Sequence, residues 1–156
     1  MGTPRVRKDA LVQFYTSGYD ESARLARPKS RLELLRTQEL LRERLPAAPA
    51  RVLDVGGGTG AHAAWLAAEG YRVDLVDVVP EHVRAARELA ARHTDGFGAR
   101  VGDARSLEDG DASVDVCLLL GPLYHLQDPS DRAAALAEAV RVTRSGGLVC
   151  AAAISR

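Results

Sequence analysis

Arg51-Val-Leu-Asp-Val-Gly-Gly-Gly-Thr-Gly60 is an apolar strand that runs straight into a glycine-rich turn. Asp54, Gly56, Gly58 and Gly60 fall at alternate positions, the pattern D-x-G-x-G-x-G, with Gly57 lying between the first two glycines. Glycine has no Cβ, so the backbone turns tightly here and a ligand can lie against the main chain. Residues 61–69 continue as a predicted helix whose first N–H groups face the turn. Strand, glycine turn and helix in this order predict a nucleotide cradle.

Outward from this stretch, the chain alternates strands and helices. Apolar runs at residues 71–77, 97–101, 114–120 and 148–154 predict four more strands. Pro80 opens the helix after the second strand, with Val83, Ala86, Leu89 and Ala90 on its expected buried side. Asp128 is a predicted N-cap followed by Pro129, and Asp131 adds negative charge to the first turn. Ala133, Leu136, Ala137 and Val140 form the expected core stripe of that helix, which Gly146-Gly147 is expected to end. Upstream, residues 30–45 predict a helix with Leu34, Leu41 and Leu45 on one face and Leu35 beside it, stopped by Pro46 and Pro49. Leu11, Phe14 and Tyr15 suggest a shorter helix that Gly18 ends. Apolar strands separated by amphipathic helices imply an α/β fold: a Rossmann-like, doubly wound parallel sheet in three αβα layers. N-terminal helices (residues 1–48) are expected to cap a core (49–156) that stops after its fifth strand and reads as C-terminally incomplete.

Composition narrows the classes. The 156 residues suit one domain, and 21 basic against 21 acidic residues give no general attraction to nucleic acid or membranes. The longest apolar run, residues 114–120 interrupted by Asp115, is too short to span a bilayer, and no apolar signal core follows Met1. Cys117 and Cys150 fall inside predicted core strands without metal-ligand spacing, so no metal is expected, and a cytoplasmic setting fits. His62, His82 and His93 lie on or beside predicted helices and read as exposed.

Two cofactors compete for the turn. Gly56-x-Gly58-x-x-Ala61 satisfies a dinucleotide fingerprint, and Asp77 has the spacing of a ribose-binding acid. Against a dinucleotide, Asp54 puts a carboxylate where a pyrophosphate gains nothing and an ammonium group gains much. Gly60 adds a third alternate glycine, and Asp103 after the third strand offers a carboxylate to an exocyclic amine.

On these residues the chain, from residue 51 to about 154, resembles the class I S-adenosylmethionine-dependent methyltransferases, small-molecule bacterial branch. The resemblance implies that Asp54 and the glycine turn (Gly56, Gly57, Gly58, Gly60) pack against the methionine portion and ribose of S-adenosyl-L-methionine. It implies that Asp77 takes the ribose hydroxyls and Val78 lies beside the adenine. Asp103 would bind the adenine amine with a backbone contact from Ala104, while Leu120 and Gly121 approach the methionyl end. Arg141-Val142-x-x-Ser145-Gly146-Gly147-Leu148 is similar to that branch's turn before its fifth strand, with Thr143 and Ser145 replacing the usual leucine and proline. Tyr15 and Tyr19 are candidates for a lid over the cofactor.

Methyl transfer needs positioning rather than a nucleophilic side chain or a metal. His125 is the candidate general base, and Tyr124 with His125 the candidate acceptor wall. Gly-Pro-Leu-Tyr stands after the fourth strand where a nucleic-acid enzyme would carry a stacking motif, which points to a small-molecule methyl acceptor rather than DNA or RNA. No membrane partner is expected. The alternatives are a nicotinamide-dependent oxidoreductase and a truncated, non-catalytic cofactor-binding module. In the usual strand order 3-2-1-4-5, the uncharged fifth strand would form an open edge through which two copies could pair.

Overall fold

The computed structural model describes residues 12–13 and 28–153. Tyr15, Tyr19, Phe14, Leu11 and Ile154 lie outside the described residues, and with them the predicted first helix and lid. The elements run α1 (Pro28–Arg42), β1 (Arg51–Val55), α2 (Ala61–Ala68), β2 (Arg72–Asp77) and α3 (Pro80–Ala90). They continue with β3 (Gly98–Val101), β4 (Val114–Leu119), α4 (Pro122–His125), α5 (Pro129–Val142) and β5 (Thr143–Ala151). The five strands form one parallel sheet in the order β3-β2-β1-β4-β5.

Alternation along the central strands feeds two cores. Val52, Val73, Leu75, Val116 and Leu118 face one side, against Leu41 of α1, Ala63, Leu66 and Ala67 of α2, and Ala86 and Ala90 of α3. Leu53, Val55, Val76, Cys117 and Leu119 face the other, against Ala135, Ala139 and Val142 of α5. A sheet covered on both faces has strands that read as near-continuous apolar runs, as these do. Cys117 is fully buried and Cys150 half-buried, both as free thiols. Among the described residues no helix is long and apolar enough to cross a membrane, and no cluster of side chains could hold a metal ion.

Three expectations change. The predicted core stripe of α5 faces solvent: Leu136 is 39% and Val140 64% exposed, and Ala133 and Ala137 are exposed as well. Two features rotate the helix the other way. Its small residues Ala135 and Ala139 let it lie close on β4, and its polar edge is tied to the loop after β3. Glu138 accepts from the Leu107 N–H at 2.7 Å, and Arg141 donates to the Leu107 and Asp109 carbonyls at 3.0 and 2.9 Å. Secondly, α5 ends at Val142, before Gly146-Gly147. Val114 pairs with Thr143 but Val116 with Leu148, so residues 144–147 bulge out inside β5 rather than terminating a helix. Thirdly, Leu35 is exposed while Leu34, Leu41 and Leu45 face inward.

Candidate functional site

In the order β3-β2-β1-β4-β5 the direction of winding reverses between β1 and β4, and open α/β sheets bind ligands at the carboxyl ends of strands beside such a point. A cleft of about 390 Å³ lies there, within the usual size range of small-molecule sites. Every strand reaches it at its carboxyl end: Asp54 and Gly56 from β1, Asp77 and Val78 from β2, Gly102 and Asp103 from β3, Leu120 and Gly121 from β4, and Ala152 after β5.

The turn after β1 is shaped for close approach. Gly58 has φ +58° and open space where a Cβ would stand, so its backbone faces the cleft bare. Gly60, at φ +94°, is packed instead of exposed: a Cβ there would stand 2.8 Å from Phe97. Gly60 therefore supports the turn from beneath, whereas Gly56, Gly57 and Gly58 line the cleft.

Asp77 holds the turn in place. Its Oδ2 accepts from the Gly58 N–H at 2.9 Å, and its Oδ1 accepts from the Val79 N–H at 2.9 Å. His82 Nδ1 of α3 lies 3.3 Å from Oδ1. His82 is thus 8% exposed, contrary to its sequence reading, because α3 folds back over the end of β2. His62, in the first turn of α2, also departs from expectation. It lines the cleft, stands edge-on to Trp65, and its Nδ1 is buried without a hydrogen-bond partner. Burial pushes its imidazole down to about 4, so it is neutral at physiological pH. His93 is exposed, as expected.

Asp54 is 1% exposed, and its Oδ2 is a buried oxygen with no hydrogen-bond partner. Burial first, and the Asp77 charge second, push its carboxyl up to about 7. Asp103 is already engaged. Arg105 donates to its Oδ1 from the backbone and Nε at 3.0 Å each, and to its Oδ2 from Nη2 at 2.7 Å, then reaches Asp131 of α5 at 2.9 Å. These carboxylates raise the Arg105 guanidinium further, Asp103 foremost. Sequence reading missed Arg105. Its signal, a cation two residues after Asp103, is weak until α5 brings Asp131 alongside.

Tyr124 and His125 lie on the short helix α4, at the mouth of the cleft, Tyr124 42% exposed. Ser30, Glu33, Leu34 and Thr37 of α1 form a further wall that no motif announced.

Residues 52–147 match the family described as methyltransferase domain. The chain belongs to the class I S-adenosylmethionine-dependent methyltransferases. It is 38% identical over 103 residues to an uncharacterised methyltransferase of Mycobacterium tuberculosis, covering 66% of this chain and 39% of that protein. It is 35% identical over 99 residues to a malonyl-[acyl-carrier protein] O-methyltransferase of Serratia marcescens, covering 64% and 36%. A solved methyltransferase from Aquifex aeolicus superimposes with a TM-score of 0.66 at 27% identity, covering 81% of this chain and 69% of that one. The chain thus spans well under half the length of these two curated relatives.

The residues present fit the cofactor that the family uses. An unpartnered buried carboxyl at Asp54 matches a ligand with an ammonium group, the bare backbone at Gly58 admits a sugar, and Asp77 offers an oriented acceptor.

Proposed function

We propose that this chain binds S-adenosyl-L-methionine in the cleft over β1, β2 and β4 and transfers its methyl group to an O, N or C atom of a small metabolite, leaving S-adenosyl-L-homocysteine. The observation that carries the reading is the union at one cleft of Asp54, the glycine turn and an Asp77 held by Gly58 and Val79. When bound, the cofactor supplies an electrophilic methyl group on a sulfonium.

The protein's own part is binding and placement. Asp77 Oδ2 carries one backbone hydrogen bond in the structure and so retains capacity for a ribose hydroxyl. Val78 and Ala104 flank the base, and Asp103, fixed by Arg105, faces its amine. Leu120 and Gly121 border the reacting end, where Tyr124 and His125 receive the acceptor. His125 is the proposed base for a hydroxyl or amine nucleophile. Tyr15 and Tyr19 are proposed to close over the cofactor. Residues 1–48 would act as a helical cap on the core at 49–156.

A small acceptor is favoured by the formal charge of zero, since phosphate backbones are held by cationic surfaces. The same balance and the free thiols Cys117 and Cys150 suit a cytoplasmic protein. Two copies are proposed to pair along β5, an edge strand of the described sheet. Light scattering over a concentration series should show association that Ala151→Lys weakens. A strictly monomeric chain at all concentrations would remove that proposal.

The cofactor reading is tested by thermal unfolding with S-adenosyl-L-homocysteine against NAD. Ligands that bind only the folded state raise the melting temperature by mass action. The expected result is a shift with the first and none with the second. The reverse would make the chain a nicotinamide-binding protein.

A further inference from the structure

One wall of the cleft is a face of α1. Ser30, Glu33, Leu34 and Thr37 recur there at helical spacing, while Gln38 and Leu41 of the next turn are buried and give the wall a fixed base. This wall accepts hydrogen bonds. Thr37 Oγ1 donates to the Glu33 carbonyl at 2.9 Å, so its one hydrogen is committed and its lone pairs are what a ligand meets. A carboxylate offers acceptors only, and among the described residues no ion pair reaches that of Glu33; Arg36 of the same helix turns to Glu39 instead. The charge of the whole cleft points the same way. Arg105 is the only Lys or Arg among its described lining residues, and its guanidinium lies between Asp103 and Asp131, at 2.7 and 2.9 Å. Glu33 and Asp77 add negative charge with no further Lys or Arg beside them. An anion that enters loses its hydration and finds no counter-ion, whereas a cation is drawn in.

We propose that the methyl acceptor is a small molecule bearing an ammonium group, which Glu33 and Thr37 hold against α1, and that carboxylate- and phosphate-bearing molecules are turned away. The proposal rests on the methyltransferase reading above and names the class of molecule that the cleft takes beside the cofactor. Residues four apart on a helix have Cβ atoms about 5–6 Å apart, a gap that one ammonium with three N–H donors bridges. The ammonium is the handle and not the reacting atom. Its nitrogen lone pair is bonded to a proton, so the nucleophile is a different atom of the same molecule.

The test compares tyramine with 3-(4-hydroxyphenyl)propionate, which share a phenol on a short alkyl arm and differ in ending on an ammonium or a carboxylate. Each is added at millimolar concentration to the whole chain saturated with S-adenosyl-L-homocysteine, and binding is read by NMR from the backbone amides of residues 30–37. Tyramine should bind and shift these amides, and the carboxylate should not. Glu33→Gln should weaken tyramine about fivefold, the scale of a solvent-exposed ion pair, and Glu33→Lys should reverse the preference between the two probes. Thr37→Val, which keeps the shape and removes the acceptor, should weaken tyramine by a smaller factor. Tyramine that fails to bind, a carboxylate that binds as well, or a preference unmoved in both Glu33 variants would overturn the proposal while leaving the cofactor reading standing. Failure of S-adenosyl-L-homocysteine to bind the unmodified chain would overturn the two together.

Discussion

Asp54 and His62 are buried ionisable groups whose folded-state proton affinities move in opposite directions, and the consequence for stability can be worked out sign by sign. Asp54 is raised to about 7, so the folded chain holds this proton more tightly than the unfolded chain. The stability it contributes is present in acid and is lost as pH climbs from the ordinary carboxylate range through about 7. His62 is lowered to about 4, so here the unfolded chain takes the proton more readily. Its contribution is present above the ordinary histidine value and is lost as pH falls through about 4. Without ligand, Asp54→Asn should melt several degrees above the unmodified chain at pH 8, with the gain shrinking as pH falls below about 7 and gone only near pH 4. His62→Gln should flatten the acid limb between pH 6.5 and pH 4. Equal melting temperatures for the Asn variant and the parent at pH 8 would show that Asp54 bears no charge penalty. A residue that destabilises its own fold at working pH is the ordinary signature of a site kept for binding. At this scale the sequence was legible in position: Asp54, Asp77 and Asp103, read at strand ends, all line the cleft. It was illegible at His82 and Arg105, whose partners arrive only when α3 and α5 dock.

Helix α5 shows where periodicity stops being decisive. Two apolar stripes run along it at helical spacing, one through Ala135, Ala139 and Val142 and one through Ala133, Leu136, Ala137 and Val140. The second carries the larger side chains and reads as the core, yet the first is the buried one. The choice is made by Asp131, Glu138 and Arg141, whose partners on the loop after β3 fix the helix's rotation. These contacts span 26 to 34 residues of sequence, so no local window contains them. Val140→Ser should therefore change stability by no more than about 0.5 kcal/mol. Ala139→Leu should cost about 1–3 kcal/mol by overpacking against β4. Denaturant unfolding of the two variants decides between the stripes, and the opposite ranking would restore the sequence reading. The other elements were plainer. Pro80 and the Asp128–Pro129 pair start α3 and α5 where expected, and β1 has its predicted bounds. The Ser130 N–H donates to Asp128 at 2.8 Å, as an N-cap requires.

For the molecule as a whole, function follows from topology. Because the sheet reverses between β1 and β4, the carboxyl ends of all five strands open into one cleft, and residues far apart in sequence converge there. The glycine turn after β1 and the Asp77–Val79 corner after β2 are joined through the Asp77 carboxylate, so a ligand that touches one braces the other. Backbone amide exchange with and without S-adenosyl-L-homocysteine reads this directly. The account predicts slowed exchange at residues 56–60 and 77–79 together, with smaller protection at 103–105 and little change along the exposed face of α5. Binding that protects neither the turn nor the Asp77 corner, or protection confined to another part of the chain, would contradict it.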